Sequence, residues 1–346
     1  MQETKNDRIN ISGDTVKQSL AVQVAAGEID HDQADLIMWF YCFCRDRNWT
    51  IKESAAQIGF DSTTLWRVWQ GKYGASLENV CAKISRVRDV ESQRSDVIRL
   101  DFVETSAWKT INSICQNALA SQSIAFVFGE SQIGKTTCLE RYAAEHNHGA
   151  TKYVRMPASS GIRLFAQEFA RSCYVSPDQS FENLRDRILR AIDSRTLVIV
   201  DELHQVFTSY QKGSAIKVLE FIREVYDRTR CGMVLCGTDV LAYELQRGKL
   251  ALLLKQFNRR GLMKVHLPAR TPQADLVLVA SKFGLPAPDQ TAQKIIATMI
   301  ADNGLGMYIK FLQAAATKAR KQKKPVTWDH FVDAYDIIQR LSSTAV

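Results

Sequence analysis

The stretch Gly129-Glu130-Ser131-Gln132-Ile133-Gly134-Lys135-Thr136-Thr137 constrains this chain more than any other. It has a glycine, four residues, then Gly-Lys-Thr, and it follows an apolar run over 124–128 and opens a helical pattern over 136–146. The glycines let a loop curl so that successive backbone N–H groups point inward at phosphate oxygens. The helix that follows adds the positive end of its dipole. Lys135 is placed to bridge β- and γ-phosphates, and Thr136 to give its hydroxyl to Mg2+. A nucleoside triphosphate, ATP, is the expected ligand.

A strand entering such a loop has to be buried in a parallel sheet, and the flanking sequence supplies the rest of one. Short apolar runs over 124–128, 152–156, 196–200, 233–237 and 262–267 alternate with helical patterns over 136–146, 161–174, 181–192 and 215–228. The expected fold class is therefore α/β, a five-stranded parallel sheet covered on both faces. From 271 onward only helical patterns appear, over 271–283, 289–302, 307–321 and 327–341.

The run Leu197-Val198-Ile199-Val200 ends in Asp201-Glu202. Two carboxylates at the tip of a buried strand are poorly placed unless they meet a cation. Asp201 reads as the carboxylate on the metal side and Glu202 as the base for an attacking water. The run 232–237 ends in Thr238-Asp239. Thr238 reads as a polar side chain orienting that water. For Asp239 this role and a plain helix cap stand open. Arg259-Arg260 precede the last strand, either as arginine fingers for a neighbouring subunit or as a surface basic pair.

Before residue 91 the pattern is helical throughout. Residues 1–30 read as a loosely ordered arm with one short helix, and 31–90 as an all-α domain. In the second, Ala55 lies four residues before Gly59, and Phe60, Leu65 and Val68 follow at one, six and nine. This is helix-turn-helix spacing. The second helix offers Ser62, Thr63, Thr64 and Arg67 to a DNA groove, although such units also serve protein contacts. Residues 91–101 are charged and apolar-poor and read as a linker. The remaining divisions are 102–268 for the nucleotide-binding domain and 269–346 for a C-terminal helical lid.

Lys and Arg total 45 against 37 Asp and Glu, for a net charge of +8, a mild bias toward a polyanion. The basic stretch 318–324 closes a helix, where cations suit the dipole, and reads as a solvated face. No run approaches the length of a membrane span, and residues 1–14 lack the apolar core of a signal peptide. Eight cysteines without a CxxC pair and six unclustered histidines point to reduced thiols in a cytoplasm and to no structural metal.

The domain order, with Phe102-Val103-Glu104-Thr105 leading into the nucleotide-binding domain, Gly129–Thr137, Val198–Glu202, Val234–Thr238 and the segment 59–74, resembles the phage Mu B family. These are AAA+ ATPases, target-DNA activators that regulate transposition. The resemblance covers nearly all of the chain after residue 31. It implies slow ATP hydrolysis controlled by DNA and a partner, ATP-dependent self-assembly into filaments on largely non-specific double-stranded DNA, and activation of a transposase. It also implies a role for Lys310 at the γ-phosphate, where the family carries an arginine, and for Thr238, where the family often carries an asparagine. A helicase-loader ATPase is the alternative. A transcription regulator that uses ATP only as a ligand would have no need of Glu202.

Overall fold

The computed structural model describes residues 9–95, 100–147, 149–158, 161–207, 212–247 and 261–343. The chain divides into two compact units, Met1–Ile98 and Arg99–Val346.

The first unit contains five helices among its described residues: α1 (Gly13–Ala25), α2 (His31–Asp46), α3 (Ile51–Gln57), α4 (Ser62–Trp69) and α5 (Glu78–Ser95). Capping chemistry sets their starts. Asp30 and Thr50 each close a reciprocal capping box, with Gln33 and Glu53 respectively. Asp61 caps α4 through Thr64 N. Leu65, Val68 and Trp69 of α4 are buried with Ile37, Phe40 and Ala55 in one core.

Two sequence expectations change here. The short helix expected in the arm over 1–30 is α1, but it is packed and not loosely ordered, since its Val16 and Leu20 belong to that same core. Tyr41 Oη donates to Ile11 O at 2.7 Å, anchoring its approach. Few apolar positions on α1 face inward, so its periodicity is weak although its burial is real. The linker over 91–101 begins inside α5, which continues to Ser95. Residues 88–95 are charged but contain no glycine or proline, and charge alone does not stop a helix. Glu91 instead pairs with Arg47.

The second unit is built on a parallel sheet of β1 (Ile124–Phe128), β2 (Thr151–Arg155), β3 (Leu197–Asp201), β4 (Gly232–Cys236) and β5 (Gly261–His266). Their order in space is β2-β3-β4-β1-β5. β1, β3 and β4 are buried along their whole length. On one face, Ala125, Val127, Ile199 and Val234 pack with α6 (Ser106–Ala120) and α7 (Lys135–Glu145). On the other, Phe126, Val200 and Leu235 pack with α8 (Ile162–Ser172), α9 (Phe181–Arg190) and α10 (Lys212–Thr229). The expected α/β class and five parallel strands are what the chain forms.

α11 (Asp239–Gln246) follows β4, and after β5 come α12 (Gln273–Ser281), α13 (Gln290–Lys321) and α14 (Trp328–Ser343). α13 is broken at Gly304 (φ 69°, ψ −177°), within the gap expected between two helices. Its basic end is partly neutralised, since Lys318 pairs with Asp333 of α14 at 3.0 Å. The lead-in at 102–105 joins both layers of this unit. Phe102 packs beside the sheet and Val103 among the C-terminal helices. Asp275 of α12, itself buried, accepts the Ser106 N–H with both oxygens at 3.0 Å and the Ser106 hydroxyl at 2.5 Å. No helix among the described residues is long and apolar enough to cross a membrane.

β4 passes the C-terminal end of α6 so closely that a Cβ at Gly232 would stand 2.7 Å from both Ala118 O and Leu119 Cα. These are backbone atoms and cannot rotate away. Gly232→Ala is expected to lower stability by about 1–3 kcal/mol in urea denaturation, the usual range for overpacking. An unchanged midpoint and slope would mean that α6 and β4 are free to separate.

Candidate nucleotide site

The strand order determines which loops meet. β1 lies beside β4, and β4 beside β3, so the C-terminal tips of all three open on one edge of the sheet. The loop after β1, the carboxylates after β3 and the Thr238 tip after β4 are thereby neighbours although they span 110 residues of sequence. Ligands of parallel α/β sheets bind at such an edge, where neighbouring connections run in opposite directions.

The loop itself turns on left-handed backbone at Gln132 (φ 64°) and Gly134 (φ 91°). Gly134 is the N-cap of α7 and offers no side-chain cap, so the first N–H groups of that helix have no side-chain acceptor. Lys135 is buried, and its Nζ donates to Gly129 O at 2.8 Å and Glu130 O at 2.6 Å. A buried ammonium folded back on two carbonyls sits inside the cradle that the loop forms. Glu130, Ser131 and Thr137 are exposed, and Ile133 is buried against Leu267.

At the tip of β3 the Asp201 carboxylate is 1% exposed and both its oxygens are engaged. Oδ1 accepts the Glu202 N–H at 2.8 Å, and Oδ2 accepts the Tyr153 hydroxyl at 3.0 Å. Burial, and then the charge of Asp201, hold the Tyr153 phenol protonated far above its usual range. Glu202 adopts left-handed backbone (φ 57°), a conformation that non-glycine residues take rarely and that turns the chain sharply after the strand. Its Oε1 accepts from Thr136 Oγ1 at 3.5 Å, and its Oε2 lies 3.4 Å from His204 Nε2. Burial lowers the pKa of His204 most strongly. Glu202 and Asp201 oppose that shift and Lys135 adds to it.

Thr238 occupies the N-cap position of α11, yet its side chain makes no capping bond. Its Oγ1 is buried without a hydrogen-bond partner among the described residues. A buried unpaired hydroxyl opposes folding unless it meets a partner in use. Asp239 sits in the first turn of α11, its Oδ1 3.7 Å from His266 Nδ1. A cleft of about 560 Å³ is lined by Glu130, Ser131, Gln132, His204, Thr238 and Gly304, among others. The uncapped helix start, the buried lysine and the unpartnered hydroxyl together fit the charge and polarity of a nucleoside triphosphate with Mg2+.

Not every expected residue joins this cleft. Arg259 and Arg260 lie outside the described residues. Lys310 is exposed on α13 and makes no hydrogen bond or ion pair among the described residues. The same helix reaches the loop through its glycines instead: Gly306 N donates to Gln132 O at 3.3 Å. On α4, Ser62, Thr63 and Arg67 are exposed, while the Thr64 hydroxyl is tied to Asp61 at 2.7 Å. Tyr153 and His204 were missed by sequence reasoning. His204 carried a signal, standing two residues after Glu202, whereas only the β2–β3 pairing brings Tyr153 to Asp201.

The family described as "AAA domain" matches residues 118–245. The Mu-like prophage FluMu DNA transposition protein B of Haemophilus influenzae is 22% identical over 273 residues, 76% of this chain and 90% of that protein. The ATP-dependent target DNA activators B of Escherichia phages D108 and Mu are each 23% identical over 298 residues, 83% of this chain and 89% of theirs. Among solved structures, a Walker-type ATPase of Pyrococcus abyssi aligns with a TM-score of 0.41 and 12% identity, over 67% of this chain and 72% of that one. The resemblance read from the residues is thus the one that the curated relatives carry.

Tyr153→Phe removes one hydrogen bond from a buried carboxylate and nothing else. Stability should fall by about 1–3 kcal/mol, the range for a bond to a charged group, as read by chemical denaturation. A stability equal to that of the parent would show that Asp201 does not depend on the phenol.

Proposed function

We propose that this chain is an ATPase that couples ATP binding and hydrolysis to its hold on double-stranded DNA, in the service of a transposase. The observation that carries the reading is that Lys135, Thr136, Asp201, Glu202 and the unpartnered Thr238 hydroxyl follow neighbouring strand tips at one edge of the sheet, where Thr238 lines a cleft with the loop residues Glu130, Ser131 and Gln132. The names of the similar proteins, transposition protein B and ATP-dependent target DNA activator, support the choice of DNA and transposase as partners over a helicase.

In this reading the backbone N–H groups of 129–134 and the α7 N-terminus take the phosphates, and Lys135 releases its two carbonyls to neutralise them. Thr136 and Asp201 would hold Mg2+, which supplies further charge neutralisation on the phosphate oxygens. Glu202 takes a proton from water as the water oxygen bonds to the γ-phosphorus, and the bond from that phosphorus to the bridging oxygen breaks, leaving ADP. Thr238 orients the water by donating its hydroxyl hydrogen. Exposed Ser62, Thr63 and Arg67 on α4 meet DNA, with Arg67 on phosphate or a base edge. Thr64, committed to its cap, contributes least. Self-assembly on DNA, with Arg259 or Arg260 reaching a neighbour's γ-phosphate, completes the switch. Residues 269–346 act as a lid and the protein works in a bacterial or phage-infected cytoplasm.

Glu202→Gln keeps the size and hydrogen-bonding capacity of the side chain but cannot accept the proton. Hydrolysis should fall by about 10²- to 10⁴-fold, the span of general-base catalysis, with ATP affinity retained. The protein should then stay longer on duplex DNA in ATP than the parent, as read by dissociation rates. Parental turnover would place the base elsewhere. Lost turnover without longer residence would separate hydrolysis from release.

A further inference from the structure

His204 stands beside Glu202 and takes no part in the proposed reaction. It lies in the 3₁₀ turn Leu203–Phe207, directly after the strand that delivers Asp201 and Glu202. Its side chain is largely buried, yet it enters no structural hydrogen bond among the described residues. Among the described residues Nδ1 has no hydrogen-bond partner, and Nε2 lies 3.4 Å from the Glu202 carboxylate. An imidazole retained for packing would be expected to satisfy at least one ring nitrogen on the backbone. This one instead lines the same cleft as Thr238, whose hydroxyl is also without a partner.

Glu202 needs such a neighbour. Its backbone is left-handed, so its side chain leaves the strand at an angle that the β3 ladder does not control. One carboxylate oxygen has only the long 3.5 Å contact from Thr136, a hydroxyl already claimed for Mg2+ in the proposed reaction. Once Thr136 turns to a metal, the described groups leave His204 as the neighbour of the other oxygen.

We infer that His204 is a positioning residue for Glu202, whose Nε2–H holds the carboxylate turned into the cleft while a water is deprotonated. This rests on the reading of Glu202 as the base. In this arrangement the ring carries one proton, on Nε2, and Nδ1 stays buried without a proton. Among the described residues the His204 side chain makes no hydrogen bond to the loop 129–136, so its effect is expected in the chemical step more than in nucleotide affinity.

The test uses the full-length protein, with fluorescent ATP binding at equilibrium and hydrolysis in a single turnover. His204→Ala should lower the hydrolysis rate about 10- to 100-fold, as loss of a supporting contact does, and change nucleotide affinity less than about threefold. His204→Gln places an amide N–H near the position of Nε2 and should recover most of the rate. His204→Asn reaches only as far as Nδ1 and should not. A His204→Ala rate within about twofold of the parent overturns the proposal, as does equal rescue by Asn and Gln. Should the alanine variant fail to fold, the Gln and Asn pair alone decides. A parallel Glu202→Gln protein separates the two readings. Parental turnover there removes Glu202 as base and the role of His204 with it, whereas slow turnover there beside parental turnover in His204→Ala removes His204 alone.

Discussion

Everything at the candidate site depends on β4 being inserted between β1 and β3. In a sheet wound in simple sequence order, the loop after β1 and the carboxylates after β3 would be separated by β2. The order β2-β3-β4-β1-β5 sends β2 to the outside and brings the tips of β1, β4 and β3 into a row. Close packing keeps it there. Gly232 lets β4 enter against the end of α6, and Cys236, at the far end of the same strand, lies next to Asp201. Burial, followed by the negative charge of Asp201, pushes the Cys236 thiol well above its usual pKa, so it behaves as an apolar filler behind the carboxylate.

The polar groups of the site are held by different means. Asp201 is fixed on both oxygens by backbone and phenol, Lys135 is folded onto two carbonyls, and Thr238 is buried without a partner. Glu202 is the loosest of the set, with one long hydroxyl contact and one imidazole neighbour. In the proposed reading, that gradient leaves the carboxylate assigned to the metal pre-set and the one assigned as base free to turn. The C-terminal helices approach the same loop through Gly304 and Gly306 against Gln132, where a side chain on Gly304 would crowd the Gln132 carbonyl at 3.2 Å.

Much of this was legible in the sequence because it rests on local patterns. The five strands fall within one residue or so of their expected positions, since buried parallel strands are continuous aliphatic runs. The loop and Asp201-Glu202 were legible through residue type and spacing. What was not legible depends on contacts between distant segments. Tyr153 reaches Asp201 only through strand pairing, Asp275 caps α6 from 169 residues away, and Gly232 matters because of a backbone it does not neighbour in sequence. The burial of α1 was not legible for a different reason. A polar helix with one narrow buried edge leaves little periodicity to read, although its edge joins the core.

The central claim is that the loop after β1 receives the phosphates and that Lys135 moves to meet them. A structure of the protein determined with Mg2+ and a slowly hydrolysed ATP analogue tests it most directly. The account predicts the triphosphate within residues 129–134, Lys135 Nζ withdrawn from the carbonyls of Gly129 and Glu130, and Thr136 and Asp201 on the metal side. Nucleotide bound elsewhere, or Lys135 still bonded to both carbonyls beside a bound analogue, would contradict it.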